Sequence, residues 1–237
     1  MSIIRSALFN LFFFTTSSIL VIPIAAAAML APARVSLMAA AWARLELGAL
    51  RLLCGIDYVV IGRQYLPADG PALIASRHQS AFDTFVWMTL VPRCCYVLKR
   101  ELLRLPLFGT VLRALSMIAV SREDGQAAIR TLVRDGAAAA ASGRQIVIFP
   151  EGTRAEPGSA VTLQPGIAAL AARTGLPIIP VATDSGRCWG RRAFRKQPGT
   201  IHIVIGAPIE AGRNRRELML RLQQTLADEV ITAATAL

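Results

Sequence analysis

After Gly55, short apolar runs alternate along the chain with longer stretches in which apolar residues recur every three or four positions. The short runs contain few polar residues, which is typical of parallel strands that helices cover on both faces. These runs predict strands at Tyr58–Ile61, Ala72–Ala75, Cys95–Leu98, Met117–Val120, Ile146–Phe149, Ile178–Ala182 and Ile201–Ile205. The longer stretches predict helices at Phe82–Leu90, Phe108–Leu115, Gln126–Ala141, Gly166–Arg173 and Arg215–Ala233. This alternation predicts an α/β fold with a mostly parallel sheet flanked by helices.

Before Gly55 the pattern is that of a membrane-associated segment. No charged residue lies between Arg5 and Arg34, and this stretch is longer than the roughly 20 apolar residues that a spanning helix needs. A polar notch at residues 15–18 and Pro23 interrupt the run. A tilted or kinked span, a re-entrant hairpin and a helix lying in the membrane interface are therefore all open.

Basic residues flank the apolar stretch unequally, with Arg34, Arg44 and Arg51 after it and Arg5 before it. The positive-inside rule therefore favours an uncleaved anchor in the cytoplasmic membrane, with the main domain on the cytoplasmic side. A cleaved signal peptide is the alternative. Such a peptide has a basic residue, an apolar run and then small residues at the cleavage site, which Arg5, the apolar stretch and Ala25–Ala28 match.

Residues 36–54 predict a second, amphipathic helix, which places Arg44 and Arg51 on one face. We therefore expect two parts in the chain. Residues 1–55 would form an N-terminal membrane-anchoring helical segment, and residues 56–237 would form the α/β domain.

The 237 residues carry a formal charge of +11, from 26 Lys and Arg against 15 Asp and Glu, yet 54% of them are hydrophobic. This mixture excludes a disordered chain and a coiled coil. A protein that is both apolar and basic suits an anionic lipid surface, and its apolar composition argues against nucleic acid as a partner. The cysteines have no zinc-type spacing, so we expect buried thiols and no metal site.

Polar residues follow four of the predicted strands at the point where each strand ends. These residues are His78, Lys99, Arg122 and the segment 150–154. In α/β sheets, ligands bind at the carboxyl ends of the strands. We therefore expect one imidazole and several cations to converge at one edge of the sheet.

His78 and Asp83 are a candidate catalytic pair. On a continuous helix, residues five positions apart would point about 140° away from each other. If the helix begins near Ser80, the Asp83 carboxylate can turn back to the imidazole, hold one ring nitrogen and leave the other as a general base. The alternative is a capping box between Ser80 and Asp83, with His78 merely adjacent.

Arg122 and Arg154 are candidate phosphate ligands, because guanidinium groups beside backbone amides bind phosphate well. Glu151 either holds Arg154 in position or binds a substrate hydroxyl, and both roles are open. The other histidine, His202, lies within an apolar strand pattern and is expected to be structural or on the surface.

Four sequence blocks between about residues 56 and 210 resemble those of the glycerolipid acyltransferase family, in the family's order and spacing. Arg77–Asp83 matches the His-x-x-x-x-Asp box, and Phe149–Arg154 matches the Phe-Pro-Glu-Gly-Thr-Arg box. Between them, Lys99–Leu102, Pro106, Phe108–Gly109 and Ser121–Arg122 look like the second block, and Leu176–Val181 looks like the fourth. The chain is therefore identified as a member of this family by resemblance.

The resemblance implies acyl transfer, without a covalent acyl-enzyme, from acyl-CoA or acyl-carrier protein to the sn-2 hydroxyl of lysophosphatidic acid. His78, oriented by Asp83, would be the general base. The implied substrate-binding residues, which include the acceptor's phosphate ligands, are Lys99, Arg122, Glu151, Gly152, Thr153 and Arg154. No metal or other cofactor is implied, and the expected partners are a lysophospholipid acceptor, the acyl donor and membrane lipid.

The chain departs from the family pattern at Ser121, Ala155 and Gln164, where Asp or Asn, Ser and Lys are usual. An acyltransferase for lyso-ornithine lipid, which lacks a phosphate, is therefore an alternative. A non-catalytic protein that binds anionic lipid through the same basic edge is an alternative of another class.

A further basic cluster lies near two aromatic residues, Trp189 and Phe194. It consists of Arg187, Arg191, Arg192, Arg195 and Lys196. Such a loop suits contact with anionic headgroups, with an acidic carrier protein or with the phosphates of CoA. A plain solvated loop is the alternative.

Overall fold

The computed structural model describes residues 2–160, 162–212, 214–227 and 231, without the side chain of Arg122. Its α-helices are α1 (Ser2–Leu30), α2 (Val35–Cys54), α3 (Phe82–Leu90), α4 (Phe108–Ala114), α5 (Gln126–Ala141), α6 (Gly166–Thr174), α7 (Ser185–Cys188) and α8 (Arg215–Thr225). Its strands are β1 (Ile56–Ile61), β2 (Ala72–Ser76), β3 (Cys94–Lys99), β4 (Ile118–Val120), β5 (Gln145–Ile148), β6 (Ile178–Thr183) and β7 (Gly199–Ile205).

In the described part of the chain, seven strands form one sheet in the order β1-β7-β6-β2-β5-β3-β4. Neighbouring strands are parallel, except for the antiparallel pair β6 and β7. The predicted fold class, a mostly parallel sheet flanked by helices, is thus confirmed. Strands β2, β5, β3 and β4 lie side by side in the same direction, so the residues that follow them meet at one edge.

Helices cover both faces of the sheet, and strand β2 shows how. Ala72 and Ile74 pack in a core with residues of α2 and α3, whereas Leu73 and Ala75 pack in a second core with residues of α5 and α6. All five residues of β2 are buried. A strand that is buried on both faces favours apolar side chains, which explains the run Ala72–Ala75, and the buried hydroxyl of Ser76 accepts a hydrogen bond from Trp87 Nε1.

The N-terminal segment is one continuous helix, α1, which includes Pro23. It packs against α2 and α4, and Phe9 is completely buried, but Ile4 and Leu11 on its outer face are 68% and 66% exposed. A re-entrant hairpin is therefore not formed within residues 6–33. By length and composition α1 is apolar enough to cross a membrane.

The polar notch in α1 has a structural explanation. Thr16 Oγ1 donates a hydrogen bond of 2.5 Å to Oε1 of Glu46, a buried residue of α2. Burial raises the pKa of the Glu46 carboxyl, and the hydrogen bond from Thr16 opposes this shift. The notch therefore provides a partner for a buried acid at the contact between α1 and α2.

The predicted elements match the observed ones closely. Each predicted strand is present, with bounds that differ by one or two residues. The helices predicted at Phe82–Leu90 and Gln126–Ala141 have those bounds in the structure. The last helix ends at Thr225 rather than at Ala233, and residues 228–230 and 232–237 lie outside the described part. The sequence pattern did not predict α7, which is only one turn long.

Candidate active site

His78 and Asp83 lie together at the carboxyl end of β2. The distance between His78 Nδ1 and Asp83 Oδ2 is 3.1 Å, and the side chains are 12% and 2% exposed. This contact pairs one ring nitrogen of His78, Nδ1, with the Asp83 carboxylate. In the part of the chain that the structure describes, no partner is found for the other nitrogen, Nε2.

The backbone around Asp83 explains how a carboxylate five residues away reaches the imidazole. Asp83 lies in the first turn of α3, and its Oδ2 also accepts hydrogen bonds of 2.8 Å from the backbone N–H groups of Gln79 and Ser80. The hydroxyl of Ser80 accepts a hydrogen bond from the N–H of Phe82. The capping contacts and the His–Asp pair are therefore formed together, because one carboxylate serves both.

Two aromatic rings support the imidazole. The His78 ring stacks on Phe149 with a centroid distance of 4.1 Å and an interplanar angle of 22°. Phe149 in turn stacks on the buried ring of Tyr96 at 6.0 Å. Burial raises the pKa of the Tyr96 hydroxyl well above its usual value, so this residue stays neutral. The stack restricts the orientation of the imidazole plane.

Glu151 has two partners that the sequence did not predict, and its role in substrate binding stays a prediction because it also lines the cavity described below. Its Oε1 lies 3.4 Å from Nε of Arg77, and its Oε2 accepts a 2.8 Å hydrogen bond from the backbone N–H of His78. Its side chain is only 5% exposed. Glu151 therefore positions His78.

Arg77 is the residue that sequence reasoning did not single out. Its side chain is 1% exposed, and its guanidinium donates to the carbonyl oxygens of Leu226, at 3.2 Å, and Ser159, at 2.9 Å. It thus connects β2 with the segment after β5 and with the end of α8. An Arg that precedes a His in a motif carries no sequence signal that distinguishes burial from exposure.

The turn after β5 places Arg154 at the site. Gly152 has a φ of +73°, which glycine adopts without strain, and its N–H donates to the carbonyl of Phe149 at 3.0 Å. Arg154 is partly buried. Burial lowers the pKa of its guanidinium, while the charge of Asp83 raises it and that of Arg191 lowers it.

Three other predicted binding residues have different outcomes. Thr153 and Lys99 are exposed and line the same cavity as His78. Lys99 is the last residue of β3. The segment Arg122–Asp124 is a single 3-10 turn after β4, but the side chain of Arg122 lies outside the described part of the structure. Its role as a phosphate ligand stays a prediction.

A cavity of about 1350 Å³ extends from this site into the protein. His78, Lys99 and Arg154 line its polar part. Most of its other lining residues are apolar, and several come from α1 and α4: Phe14, Leu20, Val21, Ile24, Val111 and Leu112. The N-terminal helix is therefore a wall of the cavity as well as an apolar surface element.

The remaining candidate groups lie away from the reacting pair. His202 pairs with Asp184 at 2.9 Å and does not line the cavity, in line with its predicted structural role. All four cysteines are free and buried. Burial raises the pKa of the Cys95 thiol to about 11, so it stays protonated at neutral pH.

Comparison with known proteins identifies relatives with a similar sequence. The chain is 38% identical over 170 residues to the 1-acyl-sn-glycerol-3-phosphate acyltransferase of Pseudomonas aeruginosa, covering 72% of this chain and 66% of that protein. It is 29% identical over 171 residues to the human 1-acyl-sn-glycerol-3-phosphate acyltransferase alpha, covering 70% of this chain and 60% of that protein. The matched part thus spans 66% and 60% of these two curated relatives, which is less than two thirds of their length.

A solved structure has the same fold. The crystal structure of the 1-acyl-sn-glycerophosphate (LPA) acyltransferase of Thermotoga maritima superposes with a TM-score of 0.81 over 98% of both chains, at 21% sequence identity. The family model described as Acyltransferase matches residues 57–184, which is more than half of the chain and includes both His78 and Arg154. The chain therefore belongs to the acyltransferase family.

Proposed function

We propose that the protein is a 1-acyl-sn-glycerol-3-phosphate acyltransferase, which esterifies the sn-2 hydroxyl of lysophosphatidic acid and forms phosphatidic acid. One observation carries this proposal: the His78–Asp83 pair, with its 3.1 Å contact, lines the same large and mainly apolar cavity as Lys99 and Arg154. The names of the Pseudomonas and human relatives support the choice of substrate.

The proposed reaction needs one proton acceptor and no metal. With Nδ1 held by Asp83, Nε2 of His78 takes the proton of the sn-2 hydroxyl while this oxygen attacks the thioester carbonyl of the acyl donor. The tetrahedral intermediate then collapses, the C–S bond breaks, and the thiolate takes the proton from the imidazolium. Asp83 stabilises the imidazolium between these steps. The products are the diacyl phospholipid and the free thiol of CoA or of the carrier protein.

The two ends of the site suit the two ends of a lysophospholipid. Arg154 and Lys99 provide cationic groups for a phosphate monoester, and Arg122 is expected to add a third. The apolar part of the cavity offers space for hydrocarbon, since the volume of the whole cavity, about 1350 Å³, exceeds that of typical small-molecule sites.

A single assay tests the acceptor: purified protein and labelled acyl donor are offered lysophosphatidic acid and lyso-ornithine lipid side by side. Faster acylation of lyso-ornithine lipid would contradict the proposal.

Replacing Arg154 by alanine is expected to raise KM for lysophosphatidic acid by about 10- to 100-fold, because a charge-assisted hydrogen bond contributes about 1.5–3 kcal/mol. KM for the acyl donor should stay unchanged. Steady-state kinetics with each substrate varied in turn measures both values. Arg173→Ala, which removes an exposed arginine outside the cavity, is the control. An equal rise in both KM values would assign Arg154 to the donor or to the fold.

We also propose that the outer face of α1 binds the cytoplasmic membrane, with the catalytic domain on the cytoplasmic side. Leu11 on this face is 66% exposed. Leu11→Arg should weaken binding to phospholipid vesicles at least tenfold, because an arginine within the bilayer costs about 2.5–3.5 kcal/mol. Leu220→Arg on α8, where the leucine is 53% exposed, is the matched control and should bind as the wild type does. Equal vesicle binding of both variants would exclude this face as the membrane contact.

A further inference from the structure

Four of the five residues of the basic cluster lie in a defined loop between α7 and β7, and the fifth, Arg187, lies in α7. We call residues 189–198 the arginine loop. It carries three exposed arginines, Arg191, Arg192 and Arg195. Arg191 and Arg192 line the same cavity as His78 and Arg154, whereas Arg195 does not. Two of the three arginines thus line the cavity that contains the candidate active site.

The loop is built onto helix α1 through Lys196, which is only 2% exposed. Its backbone N–H donates to Ser6 Oγ at 2.9 Å, and its ammonium group binds the side-chain oxygen of Asn10. The ammonium also lies over the Trp189 ring, 4.7 Å from the centroid, and over Phe9, 5.4 Å away. These contacts hold the end of the loop in one position.

Arg191 and Arg192 lie in a tight turn. The N–H of Ala193 donates to the carbonyl of Gly190 at 3.2 Å, so Arg191 and Arg192 are the two central residues of the turn. Arg192 has a φ of +55°, a left-handed conformation that costs a non-glycine residue about 1–3 kcal/mol. Strain of this size persists only where surrounding contacts enforce it. The anchoring of the loop on α1 supplies such contacts.

The positive charge at this part of the cavity is only partly balanced, by the charge of Asp83 acting on Arg154. None of the ion pairs found within the described residues includes Arg154, Arg191 or Arg192. The nearest carboxylate on the Arg154 turn, Glu151, is engaged by Arg77 and His78. Burial lowers the pKa of Arg154, the charge of Asp83 raises it, and the charge of Arg191 lowers it, so the guanidinium groups of Arg154 and Arg191 are close enough to repel each other. An anion between them would remove this repulsion.

We propose that Arg191 binds the phosphate of the acceptor lysophospholipid together with Arg154. A phosphate monoester has three terminal oxygens, and one guanidinium binds two of them at most, so a second guanidinium completes the site. The acceptor fits better than the donor, because its phosphate is separated from the reacting hydroxyl by only the C2–C3–O linkage. The phosphates of CoA or of a carrier lie beyond the full pantetheine arm. This inference rests on the proposed function.

The test compares Arg191→Ala with Arg195→Ala, which removes an equally charged and exposed residue of the same loop. Arg191→Ala should raise KM for lysophosphatidic acid by about 10- to 100-fold, the loss expected for one charge-assisted contact, with KM for the donor unchanged. Arg191→Lys should show a smaller rise, and Arg195→Ala should match the wild type within about twofold for both substrates. A rise in KM for the donor alone, or an equal effect of Arg191→Ala and Arg195→Ala, would overturn the proposal.

A binding measurement separates this inference from the proposed function. His78→Ala protein in neutral detergent is titrated with lysophosphatidic acid and with the corresponding monoacylglycerol, with and without Arg191→Ala. The second substitution should weaken binding of the phosphate-bearing lipid by about 10- to 100-fold and leave monoacylglycerol unaffected. This result would support the role of Arg191 even if turnover assays identified another acceptor. Equal weakening for both lipids would overturn it.

Discussion

Replacing His78 by alanine is expected to lower kcat by about 10²–10⁴-fold or more, which is the contribution of a positioned general base. Among the described residues that line the cavity, the imidazole is the one group that combines a fixed nitrogen with a second nitrogen left for proton transfer. Binding of lysophosphatidic acid and of vesicles should be preserved, because the cationic side chains and α1 are untouched. Single-turnover and steady-state assays in detergent measure kcat and the binding of lysophosphatidic acid. A vesicle-binding assay measures the binding to vesicles.

His202→Ala is the matched control for this experiment. His202 also pairs with an aspartate, Asp184, at 2.9 Å, but it does not line the cavity. Its removal should leave kcat close to the wild-type value. If His78→Ala retained wild-type turnover, the acid–base mechanism would be wrong, and a lipid-binding role without catalysis would then account better for the basic edge.

Replacing Asp83 by asparagine should affect kcat more than KM. Asp83→Asn keeps the shape of the side chain but removes the charge that stabilises the imidazolium, so kcat should fall while KM for the acceptor changes little. The amide oxygen can still accept from one of the N–H groups of Gln79 and Ser80, which keeps the turn folded. A far-UV circular dichroism spectrum identical to that of the wild type would show that the loss is chemical.

The edge at which the site forms could be predicted because parallel strands impose it. His78 and Lys99 each follow an apolar run of four or five residues, and a run of that length without polar interruption is a buried strand in most α/β proteins. Once β2 and β3 are recognised as parallel, their carboxyl ends lie at one edge regardless of the order of the strands between them. The position of His78 therefore required no knowledge of side-chain packing.

The partners of these residues could not be predicted in the same way. The sequence offers Glu151 a nearby partner in Arg154, but its carboxylate pairs with Arg77, 74 positions earlier. Such a pairing depends on how β2 and β5 are placed side by side, which local patterns do not encode. The role of α1 in the cavity could not be predicted for the same reason. Its apolar face predicts membrane contact, and only the tertiary structure shows that Phe14 and Ile24 line the cavity.

The buried pair of Arg77 and Glu151 gives the largest expected effect on stability. Arg77→Met removes a cation that pairs with the Glu151 carboxylate, which is 5% exposed, and should lower the free energy of unfolding by about 3–5 kcal/mol. Arg51→Met breaks an exposed pair with Asp57, whose side chains are 73% and 48% exposed, and should cost about 0–1 kcal/mol. Urea unfolding in detergent, followed by tryptophan fluorescence, measures both changes.

A double-mutant cycle separates the ion pair from the other contacts of Arg77. Glu151→Gln alone removes a negative charge that pairs with a buried guanidinium, so it should also cost several kcal/mol. Arg77→Met combined with Glu151→Gln removes both charges and should cost clearly less than the sum of the two single changes. Strict additivity would mean that the two side chains stabilise the fold independently. In that case the bonds from Arg77 to the carbonyls of Leu226 and Ser159, rather than the charge pair, would hold the segment after β5 against His78.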